Sequence, residues 1–220
     1  ESPHLCQLLS MMVRRGIKNV VMEVSSHALA LHRVEGIRFA GALFTNLTHD
    51  HLDFHGSMER YAQAKKQLFD ILPKEAIAIV IGDSPYSYLM LSDTKAKDKY
   101  RVGRSNAFDI TIDQENHSLS GSSYRLSFGG DIPEFQHGEL HIVSPLIGKF
   151  NVENTAIDAS LAHLIGIDDN NIQHALKSCE GAPGRMQRIR LPNGALVLVD
   201  YAHTPDALEK SLSTCRALLN

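Results

Sequence analysis

The chain has 220 residues, with 22 Lys and Arg against 25 Asp and Glu and a formal net charge of −3. This near-balance gives no electrostatic footprint for nucleic acid or for an acidic membrane surface. Hydrophobic residues make up 43 %, enough to build the core of one large domain or a domain and a half.

Leu5 to Arg15 reads as an amphipathic helix, with Leu5, Leu8, Leu9, Met12 and Val13 on one face and Gly16 as its stop. The apolar runs Val20-Val21-Met22 and Ala42-Leu43-Phe44 read as buried parallel strands flanking a short helix. Polar residues begin where each run stops, at Glu23 and Thr45. Ligands of open α/β sheets bind beyond the carboxyl ends of strands, so Glu23 and the histidines that follow are expected in one crevice. Ser57 can cap a helix running to about Leu72, before Pro73. Ala76 to Ile81 reads as a further buried strand. This alternation of helix and strand argues for a parallel α/β sheet.

The middle of the chain changes character. Ser92 to Lys99 is charged and reads as a solvated loop. Tyr100-Arg101-Val102, Asp109 to Ile112, Tyr124 to Phe128 and Glu139 to Val143 read as short strands of a small antiparallel sheet. Gly121, Gly129-Gly130 and Gly138 punctuate them. Helical periodicity returns at Asn151 to Ile165 and near Ile172 to Cys179. Gly181-Ala182-Pro183-Gly184-Arg185-Met186 then forms a Gly- and Pro-rich joint. Ala195 to Val199 reads as a buried strand ending at Asp200, and Ala207 to Leu219 as the start of a helix. This last strand, turn and helix suggest a second α/β domain, with the boundary near Met186.

The helix after Ser57 carries an anomaly. Met58, Tyr61, Lys65, Leu68, Phe69 and Leu72 share one helical face, and Lys65 interrupts an otherwise apolar stripe. Lys66 is expected to point to solvent. A lysine on a buried stripe is costly as a cation and loses its proton more readily. The spacing leaves two readings open. Lys65 snorkels to the edge, or its neutral amine attacks carbon dioxide and becomes a carbamate, an anionic oxygen ligand suited to magnesium.

Met22-Glu23-Val24-Ser25-Ser26-His27, Phe44-Thr45-Asn46-Leu47, Asp50-His51-Leu52-Asp53-Phe54-His55-Gly56 and the helix with Ala64-Lys65 together resemble the Mur ligase family. The resemblance covers essentially the whole chain and is strongest to the tripeptide-forming members. It implies an α/β fold. Residues 1–186 would form a P-loop NTPase-like central domain, a parallel sheet with a small antiparallel subsheet. Residues 187–220 would open a Rossmann-like C-terminal domain. It implies ATP-dependent amide formation through an acyl phosphate in peptidoglycan synthesis. The partners implied are UDP-N-acetylmuramoyl-dipeptide and an amino acid, meso-diaminopimelate or L-lysine, with no nucleic acid or membrane. A cytoplasmic monomer is expected.

The resemblance also assigns residues. Glu23 and His51 match the magnesium ligands and Lys65 the carbamylated lysine, with His51 and Lys65 carrying catalysis. Ser25 and Arg33 match positions that hold the UDP-linked substrate, and Leu31 stands where the family often has Gln. Asn151 and Asn154, in Gly148-Lys149-Phe150-Asn151-Val152-Glu153-Asn154, match asparagines beside adenine. Without the resemblance, Asn151 reads as a helix cap. Arg185 matches an arginine at the ATP phosphates and Asp200 a carboxylate near the ribose. Two of His27, His49 and His55 are expected to be structural. Asn46 and Asp53 are expected to orient His51 or a water.

No Gly-x-x-x-x-Gly-Lys-Ser/Thr occurs in the chain. The family's phosphate loop and uridine-binding domain are expected upstream of Glu1, and most of the C-terminal domain beyond Asn220. The start without Met and the stop inside a helix fit a fragment. Cys6, Cys179 and Cys215, odd in number and far apart, fit reduced thiols of a cytoplasmic protein. No apolar run reaches membrane-span length and no signal peptide is visible. The rival enzyme reading is a binuclear metallohydrolase. His49-x-His51-x-Asp53 approaches the motif His-x-His-x-Asp-His, but Phe54 displaces His55 by one position. A nucleotide-binding scaffold is the non-enzymatic alternative.

Overall fold

The computed structural model describes residues 2–129 and 138–219. Gly130 of the expected Gly129-Gly130 turn lies outside them. In chain order the elements are α1 (Ser2–Arg14), α2 (Ser26–Ala30), β1 (Gly41–Phe44), α3 (Leu52–His55), α4 (Met58–Asp70), β2 (Ile77–Ile81), α5 (Ser87–Leu91) and β3 (Asp98–Gly103). There follow β4 (Ile110–Ser118), β5 (Gly121–Phe128), β6 (Glu139–Ser144), α6 (Lys149–Leu164), α7 (Asp169–Ser178), β7 (Gln187–Arg190), β8 (Leu196–Val199) and α8 (Pro205–Ala217). The six strands β1 to β6 form one sheet in chain order, and β7 and β8 form a second. The class is mixed α/β, as expected. Strand β3 pairs with β4 in parallel, and β4-β5-β6 continue the same sheet as an antiparallel ladder. Among the described residues no helix is long and apolar enough to cross a membrane.

Two compact units divide the chain. The first comprises Glu1–Ala42, His51–Ala78 and Tyr88–Lys99. Its core is built by Leu29, Val34, Tyr61, Ala62, Phe69, Leu72 and Met90, all buried. Helix α4 starts where Ser57 accepts a hydrogen bond from the Arg60 amide at 3.3 Å, the cap expected from the sequence. The predicted stripe faces this core through Tyr61, Phe69 and Leu72. The second unit comprises Leu43–Asp50, Ile79–Ser87 and Tyr100–Asn220. Ile110, Leu126, Leu140, Ile142 and Ile147 from the sheet side and Val152, Ala156 and Ile157 of α6 form its core. Gly121 starts β5 at φ +143°, where an added Cβ would meet the Ser144 carbonyl oxygen at 2.1 Å. Only glycine allows β5 and β6 to approach this closely.

Several sequence expectations are corrected. Val20-Val21-Met22 joins no strand ladder among the described residues, and Val21 is 96 % exposed. Three apolar residues are too few to separate a buried strand from an uncovered segment. Helix α1 forms as predicted, but none of its residues is buried. Lys66, expected in solvent, is buried at 7 % exposure and paired with Asp70 one turn along α4. Ser92 to Lys99 is not simply solvated: Thr94 is buried and donates to the Phe69 carbonyl at 2.6 Å. That bond satisfies the hydroxyl inside the core. Strand β8 is half-exposed rather than buried, because its one strand partner among the described residues is β7, four residues long and not foreseen.

Candidate functional site

The first unit gathers His27, His51 and His55 with Lys65 and Glu23. Ser25, in an extended conformation, caps α2, its hydroxyl accepting from the Ala28 amide at 3.1 Å. Its neighbour Ser26 turns inward and is 2 % exposed. His51 takes a left-handed backbone, φ +55°, and its carbonyl accepts from the Phe54 and His55 amides to open α3. Gly56, at φ +78°, closes α3. This one-turn helix throws His55 back into the unit, where it is buried beside Ser26. The His55 Nε2 to Ser26 Oγ distance is 2.9 Å.

Tyr61 is the hub of the group. The His55 ring stacks on it with centroids 4.9 Å apart and planes 12° apart. The His51 ring meets it edge-on at 5.8 Å. Lys65 Nζ lies 5.6 Å from its centroid, one helical turn along α4. His27 meets His51 edge-on at 5.0 Å and rests on Phe54 at 4.1 Å. Burial holds the Lys65 ammonium below its ordinary pKa, and the opposing charge of Glu23 only partly restores it. His55 is also lowered, first by burial and then by the neighbouring His27 and His51.

The residue set has a definite coordinating capacity. Among the described residues, no three His, Cys, Asp or Glu side chains converge as a metal site. The His49, His51, Asp53 and His55 combination of a binuclear hydrolase is therefore not assembled, and His55 is engaged with Ser26 and Tyr61 instead. Glu23 and His51 offer one carboxylate and one imidazole, with Lys65 neighbouring both Glu23 and the Tyr61 ring that His51 touches. A third oxygen ligand fits this set if Lys65 carries a carboxylate on its amine. Leu31 and Arg33 follow α2 and are exposed, as is Ser25. Asp53 is exposed, and its charge acts on His55.

In the second unit Asn46 and His49 are exposed. Asn151 is buried in the first turn of α6, and its Nδ2 donates to the Ile147 carbonyl at 2.8 Å. Gly148, not Asn151, is the N-cap, which corrects the cap reading. Asn154 is half-buried on the same helix. A groove of about 520 Å³ opens beside this start, lined by Gly148, Lys149, Phe150 and Glu153 together with Lys210 and Thr214 of α8. Arg185 is exposed. Asp200 accepts from the Met186 amide at 2.9 Å through Oδ2, and from the Ala202 amide and the Ser211 hydroxyl through Oδ1.

Two features escaped the sequence reading. The Ser26–His55 pair joins residues 29 positions apart, and no spacing rule connects them. Tyr61 was visible only as one member of an apolar stripe, although its place one turn before Lys65 was a usable signal.

A profile of the Mur ligase middle domain matches residues 1–162, and one of the Mur ligase glutamate ligase domain matches residues 184–220. The UDP-N-acetylmuramoyl-L-alanyl-D-glutamate--2,6-diaminopimelate ligase of Haemophilus influenzae is 42 % identical over 211 residues, 94 % of this chain and 42 % of that protein. The protein of the same name from Bacteroides thetaiotaomicron is 37 % identical over 215 residues, 98 % of this chain and 42 % of that protein. A solved structure of a ligase of this name superposes with a TM-score of 0.72 at 34 % identity, covering 88 % of this chain and 39 % of that one. The chain thus spans about 42 % of the length of the curated relatives it matches. With both profiles falling in order along it, the chain belongs to the Mur ligase family.

Proposed function

We propose that these residues form the central part of an ATP-dependent amide ligase. It joins an amino acid to UDP-N-acetylmuramoyl-L-alanyl-D-glutamate, through an acyl phosphate, in cytoplasmic peptidoglycan synthesis. 2,6-Diaminopimelate is preferred to L-lysine as the amino acid because the matched relatives carry it in their names. One observation in the structure carries the reading: Lys65, half-buried over Tyr61, sits within the field of Glu23 and beside the ring that His51 touches.

The Lys65 amine, shifted toward its neutral form by burial, forms an N–C bond to carbon dioxide and releases a proton. Counted from the ammonium form, two protons leave and the side chain changes from cation to anion. Glu23, His51 and the Lys65 carbamate would hold magnesium, which supplies charge neutralisation during phosphoryl transfer from ATP. Ser25 and Arg33 hold the UDP-linked substrate. The Ser25 hydroxyl already accepts from α2, which leaves its hydrogen to donate outward. Arg33 offers a planar fork for phosphate or carboxylate, and Leu31 contributes apolar contact where an amide would hydrogen-bond. Arg185, Asp200, Asn151 and Asn154 form the nucleotide side. The Nδ2 of Asn151 is committed to Ile147, so its amide oxygen is the group left for an adenine amine. The phosphate-cradling loop comes from sequence outside the 220 residues, and the domain boundary falls near Met186, with residues 187–220 opening the C-terminal domain. The start of the second profile match at residue 184 supports that boundary.

The test is ligation by the full-length enzyme, followed as phosphate release that requires the UDP-dipeptide and 2,6-diaminopimelate. Lys65→Ala is expected to lower turnover about a hundredfold or more, the scale of losing one charge-stabilising group. A small carboxylate such as acetate should partly restore it. Full activity in the Ala variant would overturn the assignment.

A further inference from the structure

We propose that His55 is a positioning residue for the Lys65 and His51 site, acting through Ser26 and Tyr61. The inference rests on the functional reading above. Three segments must be held in register there: the chain carrying Glu23 into α2, the α3 turn carrying His51, and α4 carrying Lys65. His55 touches all three. It belongs to α3, four residues after His51, and its amide bonds the His51 carbonyl at 3.0 Å. Its Nε2 is 2.9 Å from the hydroxyl of Ser26, three residues after Glu23. Its ring lies flat on Tyr61, which carries Lys65 and His51 on the same aromatic body.

Burial makes this joint selective. Ser26 and His55 are 2 % and 7 % exposed, so water is a poor substitute for either partner. Removing the imidazole strands a buried hydroxyl and frees the face of Tyr61. Tyr61 then loses the ring stacked on it, and with it part of the support shared by Lys65 and His51. The Nε2 of His55 is engaged with Ser26 and its face with Tyr61, so its part is to position the site rather than to react. Groups that orient metal ligands in this way change metal affinity or activity by about 10- to 100-fold when removed.

The experiment uses the full-length enzyme and three variants: His55→Phe, which keeps a stacking ring and loses the hydrogen bond, Ser26→Ala, and the double variant. Two quantities are read. The first is the magnesium concentration for half-maximal turnover, alongside KM for the UDP-dipeptide. The second is the carbamate resonance of Lys65 under ¹³C-bicarbonate, assigned by its absence in Lys65→Ala. Each single variant is expected to raise the magnesium requirement by about tenfold or more and to weaken the carbamate signal, with KM for the UDP-dipeptide unchanged. The double variant should lose little beyond the worse single one, because the two residues act as one unit. If His55→Phe does not fold, Ser26→Ala alone decides by the same readings. Parent-like magnesium requirement and carbamate signal in the folded variants would overturn the proposal while leaving the ligase reading intact. A parent enzyme with neither ligation nor carbamate would overturn both.

Discussion

Lys66 and Lys65 are adjacent on α4 and meet opposite fates. Lys66 is buried and bonds Asp70, whose carboxylate lies one turn on and is partly exposed. A buried ion pair recovers in Coulomb energy roughly what desolvation costs. Lys66→Met is therefore expected to change stability by less than about 1 kcal/mol. Asp70→Ala, which leaves the buried ammonium without its carboxylate, is expected to cost about 2 kcal/mol. Urea unfolding of the three proteins checks this, and equal losses in both variants would show that the pair contributes net stability. Lys65 has no carboxylate at comparable range among the ion pairs seen in the described residues, and burial lowers its pKa. The sequence identified Lys65 as anomalous because a 3.6-residue period exposes any charge on an apolar face. It misjudged Lys66 because a long side chain one position off the stripe can still fold back beneath its neighbours. The Ser26–His55 contact was illegible for a different reason: it depends on the one-turn helix α3, which four residues of weak propensity do not announce.

At the scale of elements, the antiparallel ladder is held by side chains as well as by its backbone. Arg125 of β5 lies opposite Asp113 of β4 and bonds both of its carboxylate oxygens, at 2.7 and 3.0 Å, and also reaches Glu139 of β6 at 2.8 Å. The Arg125 hydrogen bonds hold the Asp113 carboxyl below its ordinary value of 3.8, against a smaller opposing effect of burial. A depressed folded-state pKa contributes stability above the unfolded-state value, and that contribution is lost as pH falls through the folded-state value. Asp113→Asn is therefore expected to be less stable than the parent at pH 7, with the gap closing as pH drops below about 4. Denaturant midpoints across pH 2 to 7 read this directly, and a gap that persists at pH 2 would mean the loss is one of packing. The strands of this ladder were legible from alternation and bounding glycines. Strand β7 was not, because Gln187-Arg188-Ile189-Arg190 holds a single apolar residue. Nor could the sequence tell that β8 would pair with β7 alone among the described strands.

For the molecule as a whole, the decisive segment is the joint at 179–186, where the second family match begins. Tyr201 donates from its amide to the Gly184 carbonyl at 2.7 Å, and the Met186 amide donates to Asp200 at 2.9 Å. Met186 has φ +48°, an uncommon conformation for a residue with a side chain, and its side chain is buried. Residues 184–186 are therefore fastened to the turn after β8, and we propose the hinge of the full-length enzyme at 179–183, where Gly181 takes φ +81° and Pro183 limits the path. Arg185 sits on the fastened side with Asp200, so the two move together. If both meet ATP in the full-length enzyme, nucleotide binding brings this body against the rest of the site and shields the acyl phosphate from water. A phosphate contact made chiefly in the transition state lowers turnover when removed and leaves ground-state binding alone. Arg185→Ala is accordingly expected to reduce kcat by about a hundredfold, with KM for the UDP-dipeptide within about threefold of the parent. Steady-state kinetics on the full-length enzyme distinguish the alternatives. Unchanged kcat with weakened binding of the UDP-dipeptide would place Arg185 on the substrate side and remove the reason for closure.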